Sequence, residues 1–192
     1  MDADPELRQP AARGEPSSVG AVQWLLPTAD GVGYLAWHLP DPQLEALLAA
    51  GDALSGPERQ AIVGDLELLT KAGVYTGGHL LRLLEGFAEE TDPRVMRSVM
   101  SAQSALGSVV EDDQEDAWGA YLVQTRSPWL TRIGLEAIEG EDAEIPALRT
   151  RLMDSLVKHA DDEAVLAHLK TQASAFLADT NAVPIQLAGM AL

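Results

Sequence analysis

No cysteine occurs in the chain, which excludes a disulfide framework, a thiolate nucleophile and a cysteine-ligated zinc. Aromatic residues are scarce at 5% while apolar residues reach 46%, so the core must be built mainly from Leu, Ala and Val. That mixture favours helices, because Ala and Leu are good helix formers. Basic residues are also few: 13 Lys and Arg stand against 30 Asp and Glu, a formal charge of −17. Such a field repels a phosphate backbone and an anionic lipid surface alike, so neither nucleic acid nor membrane is an expected partner. No window approaches the roughly 18 consecutive apolar residues of a spanning helix. Residues 1–18, "MDADPELRQPAARGEPSS", lack the apolar segment of a signal peptide and read as a flexible polar leader. The chain is expected to be soluble, with no compartment indicated.

Catalytic signatures are missing as well. None of the four histidines, His38, His79, His159 and His168, is followed by Glu, so the H-E-x-x-H helix of zinc hydrolases is absent. No G-x-S-x-G elbow, Walker loop or dinucleotide fingerprint occurs. The glycines of "GVGYLA" precede a strand-like run rather than open a helix, the wrong context for phosphate binding. His159 and His168 flank Asp161, Asp162 and Glu163, superficially a metal cluster, but turn residues of this kind are ordinarily hydrated. The acidic runs Glu111–Asp116, Glu139–Glu144 and Asp161–Glu163 sit at expected helix starts and loops, where they complement helix dipoles. No catalytic or metal-binding residue is assigned, no cofactor is expected in this chain, and no peptide-binding residue can be named.

What is present is helical punctuation. "AVQWLLP" and "GYLAWHLP" lie either side of "TADGVG", and the Asp30-Gly31 pair predicts a β-hairpin over residues 19–40. His38 is expected to cap or edge it. From Asp41 the apolar period becomes helical. Asp41-Pro42 opens the first helix, and Ser55-Gly56-Pro57-Glu58 has the spacing of a capping box. Ile62, Val63, Leu66, Leu69 and Ala72 follow at helical spacing and stop at Gly73. A third helix is predicted near Gly78 and a fourth after Asp92-Pro93, carrying Val95, Met96, Val99, Met100 and Leu106. Residues 114–138 read as one helix or a broken pair, with Pro128 as kink or break. Leu148, Leu152 and Leu156 mark one later stripe; Val165, Leu169, Ala173 and Phe176 mark another.

Short amphipathic helices joined by tight turns suggest stacked pairs, and the starts at Ser55 and Asp92 lie about one helix-pair repeat apart. The expected fold is therefore mostly α: an α-α superhelix of HEAT/armadillo-like stacked helix pairs over residues 41–192, preceded by the short hairpin. A compact irregular bundle is the structural alternative. "NAVPIQLAGMAL" starts a last helix at Pro184 and runs apolar to Leu192. A repeat array needs a polar cap on its final unit, so this domain is expected to be truncated at its C-terminus.

The order of these features resembles the C-terminal helical domain of the aminopeptidase N-type zinc metallopeptidases, relatives of the puromycin-sensitive and endoplasmic-reticulum aminopeptidases. The matching residues are Gly31, Gly33 and Tyr34, then Ser55, Glu58, Arg59, Asp65 and Gly73, then Glu89, Glu90 and Asp92. "LRTRL" (148–152) and "AVPIQLAGMAL" resemble later segments of the same domain. The likeness spans roughly residues 20–192. Leu35 and Ala36 replace a Tyr and an Arg of the family's phrase, so no role of that Arg carries over.

The resemblance implies a noncatalytic domain that caps the active-site cavity and helps admit and position peptide substrates. Zinc and the catalytic residues would lie on an upstream domain of the same polypeptide, behind a small β-domain of which the hairpin is the last piece. The expected partners are those upstream domains and the peptide, with basic peptides favoured by the acidic surface. A free-standing helical-repeat scaffold for protein–protein interaction is the alternative, and an autonomous hydrolase a third reading.

Overall fold

The computed structural model describes residues 24–31, 37–160 and 162–179. Seven α-helices occur among them: α1 (Asp41–Leu48), α2 (Gly56–Lys71), α3 (Gly77–Leu84), α4 (Pro93–Gly107), α5 (Glu115–Ile133), α6 (Ile145–Ala160) and α7 (Glu163–Ala178). The chain divides into two compact units within α4, between Ala102 and Gln103.

In the first unit, local chemistry sets each helix boundary. Asp41 and Pro42 begin α1, which buries Leu44 and Leu47. The capping box forms as predicted: the Ser55 hydroxyl accepts from the Glu58 amide at 3.4 Å, and the Ser55 amide donates to Glu58 Oε2 at 2.8 Å. Helix α2 then buries Ile62, Val63, Leu66 and Leu69 and gives way at Gly73, whose φ of +76° suits glycine. Thr76 caps α3 by accepting from the His79 amide at 3.2 Å. That helix ends at Leu84, earlier than "HLLRLLEGFAEE" suggested, and tightens into a 3₁₀ turn at Glu85–Phe87. Val95, Met96, Val99 and Met100 of α4 are buried, whereas Leu106 is half-buried.

The second unit centres on the pairing of α5 with α6, and α6 also packs on α7. Pro128 lies inside α5, which runs unbroken from Glu115 to Ile133, so the break considered at that proline does not occur. The helix stops instead at Gly134, with φ +75°. On α6, Leu148, Leu152, Met153 and Leu156 are buried. Asp162 caps α7 with two bonds of 3.0 Å from the amides of Ala164 and Val165. Val165 and Leu169 are buried there, while Ala173 and Phe176 are half-buried.

The hairpin expectation is corrected. Among the described residues there is no strand. Asp30 and Gly31 do turn, with φ of +58° and +67°, but within a 3₁₀ element at Ala29–Gly31 that packs against α2. The Asp30 amide donates to Glu58 Oε1 at 3.1 Å. A methyl at Gly31 would lie 2.8 Å from the Pro57 carbonyl oxygen. The turn thus fastens to the start of a helix, and its amide is used by a side chain instead of a ladder. Trp37 and Leu39 are buried and His38 between them is exposed, so the alternation of buried and exposed residues holds over these three positions. The leader (1–18), the remaining hairpin positions at 19–23 and 32–36, Asp161 and the helix start at Pro184 lie outside the described residues.

Candidate functional site

The residues most distinctive in the sequence are fasteners. Arg59, on α2, donates from Nε to Glu90 Oε2 at 2.7 Å and from Nη2 to Glu90 Oε1 at 3.0 Å, while Nη1 bonds the Leu54 carbonyl. Glu90 Oε1 also accepts the amides of Thr91 and Asp92, each at 2.8 Å. Burial by itself would raise the Glu90 carboxyl, but Arg59 and these two amides outweigh it and hold the group below the usual carboxylate range. Glu58 behaves alike: burial opposes ionisation, and the amides of Ser55 and Asp30 with the Ser55 hydroxyl overcome it. Asp92 accepts the Arg94 amide at 2.8 Å at the head of α4. A methyl at Gly56 would overlap the Asp92 carboxylate, so a larger residue where the head of α2 meets this turn would have to displace that side chain.

Arg149, in the second unit, does the same for α6. Its Nε donates to the Gly134 carbonyl at 2.9 Å and its Nη2 to the Ile133 carbonyl at 3.3 Å. Both terminal nitrogens also meet the Glu141 carboxylate. Arg149 thereby lowers the Glu141 carboxyl from its ordinary value, against a smaller effect of burial.

The histidines are dispersed. The exposed His38 places its ring 5.6 Å from that of Tyr75, and His79 lies 4.7 Å from Tyr75 on the same measure, with Nε2 3.7 Å from Asp41 Oδ1. His168 Nδ1 is 3.4 Å from Glu136 Oε1, whereas His159 is exposed near the end of α6. Among the described residues no three His, Asp or Glu side chains are grouped so as to hold a metal ion.

A cavity of about 740 Å³ lies in the second unit. Its walls come from the end of α4 (Ser104, Gly107), the first three turns of α5 (Trp118, Gly119, Leu122, Arg126) and the end of α6 (Lys158, His159). Gly119 brings α5 and α6 together, since a methyl there would overlap the His159 carbonyl. The Trp118 ring stacks on that of Tyr121 at 5.4 Å and 18°. Arg126 is only 3% exposed. Its Nε donates to Gln103 Oε1 at 3.2 Å and its Nη1 to Ser155 Oγ, and Gln103 in turn donates to the Tyr121 hydroxyl at 3.1 Å. Nη2 is buried with no hydrogen-bond partner. Burial pushes the guanidinium down to about 10, Tyr121 offsetting this in part and Arg151 adding to it.

Residues 24–192 match the ERAP1-like C-terminal domain. The chain belongs to that family. A comparison with curated proteins gave no match. Within this ERAP1-like domain, Ser55, Glu58, Arg59, Glu90 and Asp92, which carried the resemblance, hold turns and helix ends in place. Glu90 alone among them is buried, and the others bond backbone amides and carbonyls at helix ends that would otherwise lack partners. The cavity was not foreseen. One signal was available: Arg126 lies on the same stripe of α5 as the buried Gly119, Leu122 and Trp129, and a cation on an apolar stripe points to an unusual environment.

Proposed function

We propose that this chain is the noncatalytic C-terminal domain of a zinc aminopeptidase, and that it caps the active-site cavity and helps admit and position peptide substrates. The observation that carries the reading is membership of the ERAP1-like C-terminal domain family over residues 24–192. Zinc and the catalytic carboxylates belong, on this reading, to an upstream domain of the same polypeptide. The helices then stack as HEAT-like pairs, and the upstream catalytic and β-domains are the direct partners. The physical role of such a cap is indirect: contacts remote from the scissile bond orient the peptide, and closure keeps water from the reaction. The formal charge of −17 supports a preference for basic peptides over acidic ones.

A paired comparison tests this. The purified chain is expected to hold no stoichiometric zinc and to leave aminoacyl chromogenic substrates unhydrolysed. Fused to its catalytic part, it should change turnover of long peptides more than turnover of single aminoacyl substrates. Zinc-dependent turnover by the chain alone, or an equal effect on long and single-residue substrates, would overturn the proposal. No helix among the described residues is long and apolar enough to cross a membrane.

A further inference from the structure

Arg126 is a buried cation whose charge no carboxylate meets. The guanidinium carries five N–H donors in a rigid fork. Gln103 and Ser155, both neutral, take bonds from Nε and Nη1, and Nη2 has no partner. Lys158, also at the cavity wall, is exposed and paired with Asp154 at 2.9 Å, so Arg126 alone is left uncompensated in that wall. A buried charge without a counter-ion is strongly unfavourable, and an unused donor beside it adds to the cost. Nη2 itself lies beneath the cavity surface, so an acceptor anion entering from the cavity would remove both deficits together once the Arg126 side chain shifts outward to meet it.

We propose that this cavity is a binding site for a small organic carboxylate, its carboxylate pairing with Arg126 and its hydrocarbon body resting against Trp118 and Leu122. Its volume of about 740 Å³ falls within the ordinary range for small-molecule sites. The wall chemistry selects among anions. Glu115 and Asp116 also line the cavity and repel a multiply charged phosphate more than a single carboxylate. Val110, Trp118, Leu122 and Val123 supply apolar surface that an inorganic anion leaves unused. The inference is independent of the peptidase reading, since it concerns only residues of the second unit.

The test uses the full chain at constant ionic strength, titrated with sodium benzoate, with benzamide as the neutral isostere and inorganic phosphate as the oxyanion control. Binding is read from tryptophan fluorescence and from the Arg126 side-chain Nε–H resonance. Benzoate is expected to saturate and to shift that resonance, with benzamide and phosphate at least tenfold weaker. Arg126→Met should weaken benzoate by tenfold or more, in line with loss of a charge-assisted bond. Binding of benzamide or phosphate as tight as benzoate, no saturable binding, or benzoate binding unchanged in Arg126→Met would overturn the proposal. Should that variant not fold, the resonance decides in the unmodified chain: benzoate binding that leaves Arg126 Nε–H unshifted overturns it.

Discussion

Arg149 and Arg126 are each 3% exposed, and both lie in the unit that pairs α5 with α6, yet their surroundings are opposite. Arg149 finds a carboxylate and two carbonyls that α5 presents at its C-terminal end. Those carbonyls are ones a helix terminus leaves without intrahelical partners, so a single guanidinium serves both the charge and the orphan acceptors. Arg126 sits in mid-helix, away from the orphan carbonyls of a terminus, and meets only an amide and a hydroxyl. One arginine completes the structure, and the other leaves a donor over beside a cavity. The contrast teaches that burial of a charge does not identify its role; the count of acceptors around it does.

The largest expected effect comes from breaking the completed side. Arg149→Met strands Glu141 and two carbonyls and should lower stability by about 3 kcal/mol, the low end for a broken buried pair because Glu141 can rehydrate. Urea unfolding followed by circular dichroism measures it; a loss under about 1 kcal/mol would mean the clamp is dispensable. Next is Gly119→Ala, which forces a methyl toward the His159 carbonyl and should cost about 1–3 kcal/mol by overpacking. Its melting temperature against the unmodified chain decides, and an unchanged value would show that α5 and α6 can separate there without penalty.

A smaller effect is the pH dependence. Glu58, Glu90 and Glu141 are all held below the ordinary carboxylate value. The unfolded chain therefore takes up protons before the folded one does as acid is added. Their stabilisation is complete above the unfolded carboxylate value, about 4.3, and is lost as pH falls through the lower folded values. Urea midpoints should drop steadily on acidification below about pH 5. Glu141→Gln should flatten the slope, and an unaltered slope would remove Glu141 from that account. The smallest change in stability is expected for Arg126→Met, within about 1 kcal/mol of neutral. It removes a costly unpaired charge while leaving the Gln103 and Ser155 acceptors unused. A loss as large as that of Arg149→Met would erase the distinction between the two arginines.

The helices were legible because their signals are local. Ser55 and Glu58 cap through side chains three residues from the amides they accept, and Gly73 stops α2 by its own backbone freedom; Thr76, Asp162 and the stop at Gly134 carry the same kind of signal but were passed over. The hairpin reading went wrong for the complementary reason. Asp30-Gly31 encodes a turn, but what lies beside a turn depends on distant partners, here Glu58 on α2. Pro128 left one helix or a broken pair open for the same reason: a proline costs a helix one amide bond, and whether the helix continues depends on packing that the local pattern does not contain. Arg126 was visible as a cation on an apolar stripe; that its Nη2 would lack an acceptor was not.

By itself the sequence determined an α-helical ERAP1-like C-terminal domain, most of its helix starts, the stop at Gly73, and which faces are apolar, because propensity, capping and periodicity act within a few residues along the chain. Only the tertiary structure decided that Asp30-Gly31 docks on α2, that α5 passes through Pro128, and that Arg149 is fully bonded while Arg126 faces a cavity. Each of those outcomes rests on atoms brought together from far apart in the sequence, where donor, acceptor and free volume are fixed by packing.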